Sequence, residues 1–317
     1  DFFKQRQIAS AWNFPCDFDC RIFIWHSRND HRCAAVYDFE SRWKGIFPWK
    51  SNHQIVNQRH LVLNETLLKS HIQDFINANI GTDITKLALQ KNPFPEADWR
   101  EILNQIFTKT KAKDKLPTWF QTDEILYPPK ISVEQTSSEK TALYKSNIVS
   151  GEKLIDLTGG FGVDDYYFAK NVNTVLHCEI NAELSTIVKS NFEKLNVPNI
   201  ECLSGDSLDI LKDRQSTFDW IYIDPSRRND AKGKVFLLKD CLPNVPELLD
   251  FYLQKSPNVL IKTAPILDIA AGLSELKYVK NIHIVAVDNE VKELLWEISK
   301  FYIGAVTIKT VNILKDS

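Results

Sequence analysis

The sequence has few of the features that mark membrane, secreted or nucleic-acid-coating proteins. Its 317 residues contain no apolar run near the ~18 residues that a membrane-spanning helix needs. Lysine and arginine (39) nearly balance aspartate and glutamate (41), so the net charge of −2 provides no overall basic field for nucleic acid. The six cysteines show no framework spacing. We therefore expect a cytoplasmic protein with no signal peptide and no membrane partner.

Methionine is also absent, although several are expected at this length. Either the composition is unusual, or modified methionines are missing from the sequence and some spacings are one residue short. Residues 1–52 hold four of the eight tryptophans and three of the six cysteines. Their cysteines and histidines match no standard zinc-site spacing, so we expect no metal site there. We interpret residues 1–52 as an aromatic-rich N-terminal extension of unassigned role.

Two regions follow this extension. Residues 53–130 carry apolar residues at helical spacing, which predicts a small helical domain. From residue 131 to residue 317, apolar segments alternate with helical patterns, which predicts an α/β fold with a doubly wound, Rossmann-like sheet. Helical patterns within it include 183–195, 245–254 and 289–299. Seven strands are predicted, over 154–157, 174–179, 199–203, 219–223, 258–262, 282–287 and 305–311.

A glycine-rich turn follows the first of these strands. Residues 154–164 read Leu-Ile-Asp-Leu-Thr-Gly-Gly-Phe-Gly-Val-Asp, so an apolar strand ends at Asp156 and a helix begins near Asp164. Glycines let the backbone turn tightly and approach a ligand closely. The candidate binding residues of this turn are Thr158, Gly159, Gly160 and Gly162.

Further acidic residues stand at the ends of the later strands. Glu179 ends the second strand, where a carboxylate can accept hydrogen bonds from both hydroxyls of a ribose. Asp206 follows the third strand, where it can accept from an adenine amino group. Asp224-Pro225 follows the fourth strand. Because the carboxyl ends of parallel strands meet at one edge, these residues predict a site for a nucleotide-like ligand.

The spacing of the glycines bears on the kind of ligand. The pattern Gly-Gly-x-Gly lacks the G-x-G-x-x-G spacing that packs a helix N-terminus against a pyrophosphate. No Lys-Ser/Thr pair follows, which excludes a P-loop. A ligand without phosphate fits better, and S-adenosylmethionine is such a ligand. Asp156 could then reach the ammonium group of this ligand, and the amides of the turn could reach its carboxylate.

Small polar residues are concentrated just before the first strand. Ser137 and Ser138 lie there, and two interpretations of them remain open. Either serine can cap a helix, or the stretch can form a lid over the cofactor. Both serines are therefore candidate cofactor-binding residues.

These motifs resemble class I S-adenosylmethionine-dependent methyltransferases, in particular bacterial proteins that carry ferredoxin-like and THUMP-like C-terminal pieces. The resemblance covers about residues 60–317 and rests on the segments 127–129, 134–139, 157–164, 224–228 and 289–295. It implies S-adenosylmethionine as cofactor. It also implies a THUMP-like domain after residue 317, so that this chain is cut short. Because THUMP-type domains accompany RNA-modifying enzymes, RNA is the implied substrate.

The resemblance also concerns the residues after the fourth strand. Methyltransferases that modify amino groups often carry Asn/Asp-Pro-Pro-aromatic at this point. The present chain keeps the acid and the first proline, as Asp224 and Pro225, but not the second proline or the aromatic residue. Asp224 and Pro225 are thus the candidate catalytic residues, with Asp224 orienting or deprotonating the nucleophile. The departure argues against N-methylation of a flipped base.

Three basic residues near this point are candidate substrate ligands. Arg227 and Arg228 have guanidinium groups that bind oxyanions such as RNA phosphates. Alternatively, they form ion pairs with Asp230 or Asp240. Lys262 ends the fifth strand, where it can contact a substrate phosphate or extend into solvent.

The sequence therefore predicts an S-adenosylmethionine-dependent methyltransferase that acts on RNA, either rRNA or tRNA. Two alternatives remain open. The near-neutral charge and the missing aromatic residue favour a protein or small-molecule substrate. A non-catalytic module that binds RNA or the cofactor is the other alternative, and the intact acids argue against it.

Overall fold

The computed structural model describes residues 65–128, 135–227 and 237–314. The predicted N-terminal extension, residues 1–52, lies outside the described residues, as does Arg228. No helix in the described ranges is long and apolar enough to cross a membrane.

The first described range is helical. Asp83 and Asp98 begin two of its helices, because their carboxylates accept hydrogen bonds from backbone N–H groups of the first turn. Apolar side chains at helical spacing, such as Ile72, Ile76 and Ile102, form its core. The helices are α1 (Ser70–Ala78), α2 (Ile84–Ala88), α3 (Trp99–Lys115) and α4 (Pro117–Gln121).

An α/β arrangement follows, as the alternating sequence pattern predicts. Its helices are α5 (Glu139–Ser146), α6 (Val163–Phe168), α7 (Ala182–Lys194), α8 (Ser207–Asp213), α9 (Val245–Lys255) and α10 (Ile269–Glu275). Its strands are β1 (Gly151–Asp156), β2 (Val172–Glu179), β3 (Ile200–Ser204), β4 (Trp220–Ile223), β5 (Ser226–Arg227), β6 (Cys241–Leu242), β7 (Asn258–Thr263), β8 (Val279–Val287), β9 (Glu290–Ser299) and β10 (Thr307–Ile313).

The main sheet has eight strands in the order β10-β8-β9-β7-β4-β1-β2-β3, and the short strands β5 and β6 pair separately. All neighbouring pairs of the main sheet are parallel except those that β9 makes with β7 and β8. The chain order changes direction at β1, which lies between β2 and β4. In open α/β sheets, ligands bind outside the carboxyl ends of the strands at such a switch point.

The prediction of seven strands and of a helix at 289–299 was wrong. This segment is the antiparallel strand β9, and it is the eighth strand of the sheet. Asp288 and Asn289 both have positive φ angles and form a two-residue turn, with Val287 opposite Glu290. Asp and Asn tolerate this backbone conformation, so the turn was a readable hairpin signal. Good helix formers after it, such as Lys292 and Leu294, outweighed that signal at the sequence level.

Among the described residues, the largest apolar cluster includes Trp296 of β9 and packs beneath the helix α10. Gly272 of α10 lies directly against the indole ring. A Cβ atom on Gly272 would lie 2.3 Å from a ring carbon of Trp296, which is fully buried. The glycine therefore permits the close approach of this helix to the sheet.

Replacing Gly272 with alanine is expected to destabilise the fold. Overpacking a core costs about 1–3 kcal/mol, and this outweighs the gain of about 1 kcal/mol in helix propensity. The midpoint of chemical unfolding should fall for Gly272→Ala. Ser274→Ala, at an exposed position of the same helix, is the control and should change little. An unchanged midpoint for Gly272→Ala would contradict the packing described here.

Candidate active site

A cleft of about 660 Å³ opens at the carboxyl ends of β1 to β4. Its size is within the usual range for small-molecule sites. It brings together most of the residues that the sequence predicts for cofactor binding, along with apolar side chains such as Phe161, Ile180 and Leu208. The predicted residues on its wall are Ser137, Asp156, Thr158, Gly159, Gly160, Glu179, Asp206 and Asp224.

The three glycines of the turn differ in their backbone angles and in the space around their Cα atoms. Gly159 packs on the ring of His177, where a Cβ atom would lie 2.2 Å from a ring carbon. Gly162 has a φ angle of 76°, and its Cβ position is blocked by Phe192. Gly160 also has a positive φ angle, 55°, but no atom crowds its Cβ position. The turn thus rests tightly on the protein at Gly159 and Gly162 and leaves Gly160 open towards the cleft.

Asp156 stabilises the glycine turn through hydrogen bonds to Thr158. Its Oδ1 accepts hydrogen bonds from the backbone N–H (2.7 Å) and the hydroxyl (3.1 Å) of Thr158. Burial raises the pKa of Asp156 well above its usual range, and the nearby carboxyl of Asp165 raises it further. Asp165 in turn contacts Nδ1 of His177 at 2.6 Å. Asp156 is only 1% exposed, so its carboxyl serves the shape of the turn more than it faces the cleft.

Thr158 joins the turn to the segment that follows β4. Its hydroxyl donates to Asp156 and accepts a hydrogen bond from the backbone N–H of Asp224 at 2.7 Å. The predicted cofactor loop and the predicted catalytic residue are therefore held together by one hydroxyl group.

Glu179 and Asp206 lie at the tips of β2 and β3. Glu179 accepts hydrogen bonds from the backbone N–H groups of Gly160 (3.0 Å) and Asn181 (2.7 Å), one at each oxygen. Asp206 caps α8, because its Oδ1 accepts from Leu208 N at 2.8 Å. Both carboxylates are thus oriented by backbone groups, and both keep lone pairs for a ligand in the cleft.

Asp224 and Lys262 form an ion pair at the ends of β4 and β7. The side chain of Asp224 is 37% exposed, whereas that of Lys262 is mostly covered. Burial alone would lower the pKa of Lys262, but Asp224, Asp164 and Glu293 together raise it, so the ammonium stays charged. Lys262 contacts Asp224 and does not extend freely into solvent.

A buried charged network beside this pair was missed by the sequence reading. Lys145 of α5 is fully buried, and its Nζ contacts both oxygens of Glu293 at 2.8 and 2.9 Å. It also lies 3.2 Å from Oδ1 of Asp164. Asp164 accepts hydrogen bonds at Oδ2 from the hydroxyls of Ser137 (2.9 Å) and Tyr222 (2.8 Å). The sequence near these residues indicates the network only through Asp164, an acid that follows the glycine turn.

The two serines before β1 have separate places. Ser137 lines the cleft and donates to Asp164. Ser138 is the N-cap of α5 and accepts a hydrogen bond from Thr141 N at 3.2 Å. Only Ser137 is on the wall of the cleft.

The remaining predicted residues lie after β4. Pro225 is buried, and Arg227 is exposed in the short strand β5, where it pairs with Cys241 of β6. The adjacent residue Ser226 lines the cleft. Arg227 therefore stands next to the cleft, on the side of Asp224.

Comparisons with known proteins fit this geometry. No protein-family model matches the sequence. The chain is similar to the "putative methyltransferase" of Porphyromonas gingivalis W83, at 28% identity and a TM-score of 0.66, over 75% of this chain and 59% of that one. It is also 24% identical to an uncharacterized RNA methyltransferase of Protochlamydia amoebophila (strain UWE25), over 44% of this chain and 33% of that one.

The first similarity confirms the predicted fold class. The described chain has a Rossmann-like α/β methyltransferase fold with eight strands in its main sheet. The chain spans 59% of the length of the solved relative and 33% of the curated one, which is less than two thirds of either.

Removing the buried carboxylate of Glu293 is expected to destabilise the protein strongly. Breaking a buried ion pair costs about 3–5 kcal/mol, because the partner charge is left without compensation. We expect the cost of Glu293→Gln to be near the lower end of this range, because Asp164 still contacts Lys145. The free energy of unfolding measures the effect.

Glu290→Gln is the matched control on the same strand. Glu290 pairs with Lys292, and their side chains are 75% and 42% exposed. Loss of such a surface pair should cost no more than about 1 kcal/mol. Equal effects of the two substitutions would contradict a special role for the buried network.

Proposed function

We propose that this chain is an S-adenosylmethionine-dependent methyltransferase that acts on RNA. The methyltransferase fold and the similarity to a solved relative support the activity. The observation that carries the proposal is the carboxylate of Glu179, fixed by two backbone N–H groups on the wall of a cleft beside the open glycine Gly160. This arrangement suits a ribose, whose two hydroxyls need an oriented acceptor.

The remaining parts of the cleft fit the rest of the cofactor. Asp206 and the apolar side chains of Ile180, Leu184 and Leu208 offer an acceptor and apolar contacts for an adenine ring. The cleft suits a ligand without a phosphate group, because none of the described residues that line it has a basic side chain. The turn supplies backbone contacts through Gly159 and Gly160, while its other predicted residues, Asp156, Thr158 and Gly162, support its shape. Ser137 belongs to the same wall, and Ser138 supports it through the cap of α5.

The cofactor, when bound, supplies a methyl group on a sulfonium sulfur, which is open to direct attack by a nucleophile. The protein then has to hold the nucleophile in line with the bond between the methyl carbon and the sulfur. Asp224 is the residue suited to this task, because it is partly exposed and is fixed through Thr158 and Lys262. A carboxylate there accepts a hydrogen bond from the attacking group and takes its proton. Pro225, which is buried, limits the movement of this segment.

Two observations support RNA as the substrate. The relative from Protochlamydia amoebophila is described as an RNA methyltransferase. Arg227 is exposed beside the cleft, where a guanidinium group can contact a phosphate. In this proposal Lys262 contributes to the same region, Arg228 is a further contact to the substrate, a THUMP-like domain completes the RNA-binding surface, and the protein acts in the cytoplasm.

Replacing Glu179 with alanine should weaken the binding of S-adenosylmethionine about tenfold or more. A hydrogen bond to a charged group contributes about 1.5–3 kcal/mol, and this variant loses the proposed ribose acceptor. Titration calorimetry measures the dissociation constant. Glu183→Ala removes an exposed glutamate from the neighbouring helix α7 and is the control. Unchanged affinity in the Glu179 variant would contradict the ribose assignment.

The reaction itself is tested by transfer of a labelled methyl group. Purified protein is incubated with labelled S-adenosylmethionine and with either total RNA or a protein extract from cells that lack it. We expect label in RNA, and we expect Asp224→Asn to reduce its rate by about 100-fold or more, as for loss of a proton acceptor. Label in protein would overturn the RNA assignment, and label in neither fraction would argue against the activity.

A further inference from the structure

The charged groups beside the cleft do not balance one another. Within the described residues, the ammonium groups of Lys145 and Lys262 face the three carboxylates of Asp164, Asp224 and Glu293. Lys145 contacts both oxygens of Glu293, and Lys262 is paired with Asp224. Oδ1 of Asp164 lies 3.2 Å from the same ammonium group of Lys145, so Asp164 shares this cation with Glu293. A buried charge of this kind is costly unless a partner neutralises it.

Asp164 is nevertheless held in its charged form. Burial alone would raise its pKa, but Lys145, Lys262 and the hydroxyls of Tyr222 and Ser137 together lower it. The two hydroxyls fix the orientation of the carboxylate. Its side chain is 12% exposed, and the residue lines the cleft. The cleft therefore contains one fixed negative charge at this wall.

Asp156 does not offer such a charge, although the sequence suggests it for the ammonium of the cofactor. It is almost completely buried beneath the turn and is bonded to both donors of Thr158. Burial and the carboxyl of Asp165 raise its pKa. Of the two acids, Asp164 is the one with a lowered pKa, and its side chain is the more exposed of the two at the wall of the cleft.

The position of Asp164 also matches the amino-acid end of the cofactor. In the proposed function, Glu179 and Asp206 hold the adenosine part at the tips of β2 and β3. The other end of the ligand then extends across β1 towards β4, because the sheet order is β4-β1-β2-β3. Asp164 lies on that side, where it accepts a hydrogen bond from Tyr222 of β4.

We propose that Asp164 supplies the carboxylate that binds the α-ammonium group of the cofactor. This inference rests on the proposed function and adds to it the residue that recognises the amino-acid end. Such a site distinguishes ligands by the presence of the amino-acid group, whereas Glu179 and Asp206 recognise the adenosine part that all of them share.

Calorimetry with three ligands tests the proposal: S-adenosylmethionine, S-adenosylhomocysteine and 5′-methylthioadenosine, which lacks the amino-acid group. For Asp164→Asn, we expect both amino-acid ligands to bind about tenfold more weakly or worse, as for loss of a bond to a charged group. The affinity for methylthioadenosine should not change. Asp209→Asn, an exposed aspartate in α8 that pairs with Lys212, is the matched control and should leave all three affinities unchanged.

The outcomes separate this inference from the proposed function. If the wild-type protein binds none of the three ligands, the proposed function fails and the inference fails with it. If the wild type binds them and Asp164→Asn binds all three as before, or loses all three equally, only the inference is overturned.

Thermal unfolding shows whether the Asp164 variant is folded. Should it be too unstable, Tyr222→Phe removes one hydroxyl that orients the same carboxylate and keeps the ring. Its expected effect on the two amino-acid ligands is smaller, about threefold, because Asp164 keeps its charge and its hydrogen bond from Ser137, and no effect is expected on methylthioadenosine. An equal effect on all three ligands would contradict the assignment.

Discussion

The buried ammonium of Lys145 is the contact on which the arrangement of the site depends. It joins three parts of the chain: helix α5, the start of helix α6 through Asp164, and the distant strand β9 through Glu293. A buried ammonium group is costly unless carboxylates compensate its charge, so these parts have to meet with little freedom. The segment before the first strand is thereby fixed against the wall of the cleft.

Hydroxyl groups extend this control to the rest of the site. Ser137 and Tyr222 connect Asp164 to the wall of the cleft and to β4. Thr158 connects the glycine turn to Asp224. Each hydroxyl contacts groups on two different segments, so the predicted cofactor loop and the predicted catalytic segment are each held by hydrogen bonds to their neighbours. Networks of this kind hold side chains in a single arrangement.

Much of the fold and part of the site could be predicted because their signals are local. Apolar segments that end in an acid, a glycine cluster and N-capping residues are all readable within about ten residues, and they located Glu179, Asp206 and Asp224 at one edge of the sheet. The choice between two roles for Ser138 needed the helix that it caps. The eighth strand was missed because its helix-favouring composition is overridden by pairing on both sides, with β7 and β8.

The charged network could not be predicted in the same way. Lys145 and Glu293 are 148 positions apart, and nothing near either residue indicates its partner. The burial of Asp156 has a similar cause, because the neighbours that enclose it come from the helix α6 and from β2. Sequence reading could assign an acid to the turn but not decide which of two acids is buried beneath it.

The two-residue turn at Asp288 and Asn289 has a consequence for how this chain can vary. Side chains alternate between the faces of a strand, so one inserted residue in the turn that shifted the pairing of β9 would carry Glu293 to the opposite face of the sheet. Lys145 would then lose its main counter-charge although no residue of α5 had changed. The length of this turn is thus linked to the chemistry of the cleft, and an insertion is compatible with the buried network only where the pairing of Glu293 with Val285 is kept, as the irregularity between Val285 and Ala286 already allows.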